Sequence, residues 1–149
     1  MISEIASRNK MYKRRGKIRS KKTTITYKGK DIIFDSKLEA DEARRLIALE
    51  RSGAIEDLVF QPKFQLQEHF NVLTNKTKNG KSKQGAMTYT PDFSYTKGLE
   101  KIVVESKGFA TGEYKMRRKM FLFRMDIYGI DVFIEKGAKY THEYRLKRG

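Results

Sequence analysis

Cysteine is missing from all 149 residues, which excludes a thiol nucleophile, a disulfide framework and a zinc–cysteine site. Histidine is scarce: His69 and His142 stand too far apart to share ligand spacing, and each reads as an ordinary surface or strand residue. No apolar run approaches the roughly 20 residues of a membrane-spanning helix. The basic N-terminus lacks the apolar stretch of a signal peptide. Acidic residues are also few, with 18 Asp and Glu against 33 Lys and Arg, a formal charge of +15. Such an excess favours a polyanionic partner, chiefly nucleic acid. No basic amphipathic helix has an apolar face large enough to favour a membrane surface instead. The expectation is a soluble cytoplasmic protein with no membrane partner, long enough for one domain and a core that needs no disulfides.

The chain organises into a basic arm, residues 1–23, and a single domain, residues 24–149. The arm carries Arg14, Arg15, Lys17 and Arg19 among its cations and one acid, Glu4. A hairpin is expected over Thr24 to Phe34, turning at Lys28-Gly29. A helix opens at Ser36 and runs to about Arg51, stopped near Gly53. Leu58 to Gln67 alternates in polarity as one strand. Asn75 to Gln84 is polar and basic with Asn79-Gly80 as a turn signal, either a hairpin tip or a loop. Its Lys76, Lys78, Lys81 and Lys83 are candidate phosphate contacts. A second helix, from about Thr111 to Tyr128, puts Tyr114, Phe121, Leu122 and Met125 on its core face. It adds Lys115, Arg118 and Lys119 as further DNA-contact candidates. An apolar strand, Ile130 to Glu135, follows. Helix, three strands, helix and strand make an α/β sandwich around a mixed central sheet.

The chemistry concentrates in Tyr89-Thr90-Pro91-Asp92-Phe93 and Val103-Val104-Glu105-Ser106-Lys107-Gly108. Side chains alternate along a strand, so Glu105 and Lys107 share a face. Asp92 lies on what would be the neighbouring antiparallel strand. Converging carboxylates bind a hard divalent cation through oxygen, and an adjacent ammonium positions or activates water and offsets phosphate charge. That set suits metal-assisted cleavage of a phosphodiester. Glu39, three residues after Ser36, is both a capping-box residue and a candidate for the site. It shares a helix face with Ala43, Leu46 and Ile47, where an apolar residue is expected and a carboxylate needs a partner or a metal. Glu42 and Glu50 flank the same stripe.

With these residues in place, the chain resembles the PD-(D/E)xK nuclease superfamily, whose pattern is an early helix glutamate, Pro-Asp, then Glu-x-Lys. Here these are Glu39, Pro91-Asp92 and Glu105-Ser106-Lys107. Within it the chain looks most like the phage endonuclease I type of Holliday junction resolvase. The lysine-rich segment from Asn75 to Gln84 has no counterpart in that pattern. The resemblance implies a restriction-endonuclease-like sandwich and a metal-dependent DNA endonuclease, phage-encoded and acting in a bacterial host on branched DNA as a homodimer. Asp92, Glu105 and the Ser106 carbonyl would ligate Mg²⁺ or Mn²⁺, Glu39 would complete a metal site, and Lys107 would orient the attacking water. The alternatives are another nuclease of this superfamily, acting in nicking, fork or end processing, or a non-catalytic DNA-binding protein on the same scaffold.

Overall fold

The structure, a computed structural model, describes residues 21–147. The candidate contacts Arg14, Arg15, Lys17 and Arg19 lie outside them. The chain divides into two compact units between Ala40 and Asp41.

In the first unit β1 (Thr23–Tyr27) and β2 (Lys30–Phe34) form an antiparallel hairpin. Lys28 and Gly29 turn it with φ of 49° and 77°, the positive pair that a type I′ turn requires to match strand twist. Helix α1 (Lys37–Arg51) starts in this unit. Ser36 Oγ accepts the Glu39 N–H at 3.1 Å, which satisfies one of the donors a helix start leaves unpaired.

In the second unit α1 continues, and Ala43, Leu46 and Ile47 are buried along one face. The strands that follow are β3 (Glu56–Phe60), β4 (Phe64–Gln67), β5 (Phe70–Leu73), β6 (Lys81–Gln84), β7 (Met87–Tyr89), β8 (Phe93–Lys97) and β9 (Glu100–Ser106). Helices α2 (Gly112–Phe123) and α3 (Met125–Tyr128) come next, then β10 (Val132–Lys136) and β11 (Thr141–Arg145). The central sheet is five-stranded, in the order β11-β10-β9-β8-β3. Only β9 and β10 pair in parallel; the other neighbours are antiparallel. A parallel pair needs a crossover, and α2 and α3 supply it.

Three expectations change in detail. Leu58 to Gln67 is not one strand: β3 joins the central sheet, while β4 pairs with β7 in a separate two-stranded sheet. The break falls at Gln61-Pro62, where Pro62 has no N–H for a ladder and Gln61 takes a φ of 52°. Its N–H donates to the Asp92 carbonyl at 2.8 Å. The second helix is interrupted at Arg124, which closes α2, and Gly129 at φ 69° closes α3. Past Lys136 the basic tail adds β11, a strand that its polar sequence does not announce.

Residues 64–89 form a two-stranded arm. Its root is β4 against β7, and its outer ribbon is β5 against β6. The root is anchored in the core. Leu66 and Tyr89 join Val103, Phe121, Met125 and Phe133 in one buried cluster. Phe121 is its centre, with ring centroids 5.0 Å from Phe64, 5.4 Å from Tyr89 and 5.5 Å from Phe133. These edge and tilted arrangements each add about 0.5–1.5 kcal/mol beyond area burial.

Candidate active site

The antiparallel register of β8 on β9 pairs Phe93 with Val104. One residue past that pair come Asp92 on one side and Glu105 on the other. Asp92 Oδ2 accepts the Ser106 N–H at 2.6 Å, so the carboxylate is tied to the strand that bears its partner. Lys107 lies just past β9, and its N–H donates to the Lys136 carbonyl at 2.7 Å. Its Nζ is 3.4 Å from Glu105 Oε1. Asp92 is thus tied to Ser106, the residue between Glu105 and Lys107, and Lys107 is paired with Glu105. At the C-terminal end of β9, Glu105 and Lys107 line an open cavity of about 330 Å³ with Thr88, Tyr89, Tyr114 and Arg117; Asp92 is not part of its lining.

Around this trio are residues the motif does not name. Tyr89 donates its hydroxyl to Glu105 Oε2 at 2.8 Å. Burial and then the Glu105 charge push its phenol well above the ordinary range, so it stays a neutral donor. The ring of Tyr114 lies 4.2 Å from the Lys107 ammonium, a cation–π contact. Tyr114 reaches that position because Thr111 caps α2 and accepts its N–H at 3.1 Å. The Tyr114 hydroxyl donates to Glu135 at 2.5 Å.

Glu135 pairs in register with Glu105 across the parallel β9–β10 ladder. It is 2 % exposed. Arg118 donates to it at 2.6 Å and Tyr140 at 3.0 Å. Burial pushes its carboxyl up, but the donors Tyr114, Arg118 and Tyr140 outweigh burial and hold it below the usual range. The sequence signal for Glu135 is faint: one acid ending an apolar strand, two residues after Phe133. Tyr89 lies inside the motif, and its role comes from its bond to Glu105. Arg118, a DNA-contact candidate, is turned inward onto Glu135 instead, with its side chain 20 % exposed.

The other candidates are placed as follows. Glu39 is half-buried in the first turn of α1, in the first unit. Ala40, Ala43, Leu46 and Ile47, which follow it in the helix, are buried. Glu42 is taken by Lys136 at 2.9 Å and Arg45 at 2.6 Å. Burial acts to raise its carboxyl, yet these two cations lower it overall. Glu50 accepts the Leu58 N–H at 3.0 Å. Lys76, Lys78, Lys81 and Lys83 are exposed on the arm, and Lys115 and Lys119 on α2.

Among the described residues no group of three or more Asp, Glu and His is gathered closely enough to hold an ion. The site as described offers two carboxylates, Asp92 and Glu105. That number still fits Mg²⁺ or Mn²⁺, because Mg²⁺ keeps several waters and is ordinarily held by one or two carboxylates together with substrate phosphate.

Fold and site together define a basic, mixed α/β protein with a carboxylate pair and a lysine at the end of a central strand. Among the described residues no helix is long and apolar enough to cross a membrane. The chain belongs to the family described as "Protein of unknown function (DUF1064)", which matches residues 15–142. No curated protein and no solved structure matches it.

Proposed function

We propose that the chain is a metal-dependent endodeoxyribonuclease of restriction-endonuclease-like fold that hydrolyses phosphodiester bonds in branched DNA. The observation that carries this reading is the bond from the Ser106 N–H to the Asp92 carboxylate at 2.6 Å, with Glu105 and the Lys107 ammonium 3.4 Å apart on either side of Ser106. Asp92, Glu105 and the Ser106 carbonyl are the groups that would hold Mg²⁺ or Mn²⁺, and the ion supplies Lewis acidity toward the phosphate. The protein's own share is positioning. Tyr89 fixes one Glu105 oxygen and the Ser106 N–H fixes Asp92. Lys107, steadied over Tyr114, orients the attacking water and offsets charge on the scissile phosphate. The net charge of +15 draws the polyanion to the surface. Cutting both strands of a junction takes two such sites, so the acting species is read as a homodimer, phage-encoded and working in the bacterial cytoplasm.

The test is cleavage of a substrate panel (four-way junction, fork, flap, linear duplex, single strand) with Mg²⁺ or Mn²⁺. The junction should be cut fastest, and Asp92→Ala and Glu105→Ala should abolish cutting while DNA binding persists. Equal cutting of fork or flap would move the assignment to fork or end processing. Binding without cutting by the intact chain would leave a DNA-binding protein on a nuclease scaffold.

A further inference from the structure

We propose that the outer ribbon of the arm, β5 with β6, seats in the major groove of duplex DNA and meets the base edges with one face. This rests on the reading of the chain as a DNA-acting protein. The register pairs Asn71 with Lys83 and Leu73 with Lys81. These four side chains share one face, and all four residues are exposed. Leu73, at 85 % exposure, has no core to enter. The opposite face bears Phe70, Val72, Ser82 and Gln84, and there Gln84 is bonded to Ser82.

A lone two-stranded ribbon gains little from packing, yet this one is held in shape. At its tip Asn79 Oδ1 accepts both the Lys81 N–H at 3.1 Å and the Thr77 hydroxyl at 3.0 Å. Gly80, at φ 71°, supplies the turn. The ribbon therefore resembles a built tool more than a loop.

Its chemistry selects the partner. From Phe70 to Gln84 there are four lysines and no acid. The major groove, about 12 Å wide, admits a two-stranded ribbon. Lysine donates to guanine O6 and N7, asparagine pairs with adenine, and an apolar side chain covers the thymine methyl. Asn71, Leu73, Lys81 and Lys83 offer all three. Lys76 and Lys78, at the tip, are left to reach phosphates.

The root ties this groove contact to the site. Tyr89 ends β7 and holds Glu105, and the Thr88 carbonyl accepts from Arg117. From Tyr89 to Lys81 a strand spans at most about 26 Å at roughly 3.3 Å per residue. At 3.4 Å per base pair, the ribbon would read within about 8 base pairs of the cut.

The test uses mixed-sequence DNA whose cytosines carry a glucosyl group on the C5 side, which obstructs the major groove at every G·C pair. The intact chain should bind this duplex at least tenfold more weakly than plain duplex, and netropsin, which fills the minor groove, should leave binding unchanged. The variant Asn71→Ala, Leu73→Ser, Lys81→Ser, Lys83→Ser changes only exposed residues. It should keep the wild-type circular dichroism, bind plain DNA more weakly, and be indifferent to glucosylation. Equal affinity of the intact chain for both DNAs overturns the proposal, as does a variant that still discriminates between them. Cleavage of plain DNA with Mg²⁺ is measured alongside. Glucose-sensitive binding without cleavage removes the nuclease and keeps the ribbon; cleavage without glucose sensitivity removes the ribbon and keeps the nuclease.

Discussion

Lys107 and Glu135 both touch Tyr114, the first at its ring and the second at its hydroxyl, and they differ in what their loss would do. On the proposed reading, Lys107→Ala removes the group that positions water but no metal ligand. Single-turnover cleavage should fall by roughly two to four orders of magnitude, with metal binding retained. Lys107→Arg should also be poor, because a planar fork that does not deprotonate cannot replace a compact ammonium. Near-normal rates in both would make Lys107 a plain strand residue. Glu135 is expected to act on stability. Its folded pKa lies below the ordinary 4.5, so its contribution is fully present above that pH and is lost as pH falls through the lower folded value. Glu135→Ala should cost about 3 kcal/mol at neutral pH, the lower end for breaking a buried pair, because Arg118 keeps some contact with water. The gap between wild type and variant in urea unfolding should close in acid. A gap that is flat with pH would show that the carboxylate is not the stabilising group. Asp92, Glu105 and Lys107 are legible in the sequence because strand alternation is local. Glu135 and Tyr114 are not, because their roles depend on a parallel pairing some 30 residues apart in the chain and on a capped helix that carries Tyr114 to Lys107; Tyr89 is not, because its partner Glu105 lies 16 residues further on, on another strand.

At the scale of elements the arm is the most informative departure. Its turn at Asn79-Gly80 is readable from residue types, since glycine there relieves a positive φ. Its two-part build is not, because Leu58 to Gln67 alternates smoothly and only the Gln61-Pro62 step betrays the change of sheet. The lysines now sort by place. Lys76→Ala with Lys78→Ala, at the tip, should flatten the plot of log affinity against log salt by about 0.9 for each phosphate no longer neutralised. Glucose sensitivity should be untouched. A slope equal to wild type would take the tip off the DNA. The core face of α2 follows from its periodicity, but the place of Arg118 does not. A cation on a helix flank looks solvated until the next strand brings a buried carboxylate to it.

For the whole molecule, charge is the property the sequence states most openly. With a net charge of +15, DNA affinity should fall steeply with salt through counterion release. Deleting residues 1–20 should weaken binding and lower the slope while thermal unfolding stays unchanged, and an unchanged slope would show that these residues do not touch DNA. The fold class is legible at the level of a mixed sheet with helices. The fifth strand is hidden because β11 is polar along its length and gains its place by pairing with β10.

The outermost strands of that sheet have a consequence for how copies of the chain meet. β3 is bent by an irregularity between Glu56 and Val59, with Asp57 at φ 54°. β11 carries His142, Glu143 and Arg145, the last two paired to each other at 2.6 Å. Kinks and charged side chains on a border strand discourage another strand from adding to it. Self-association by edge-to-edge extension of the central sheet is therefore disfavoured.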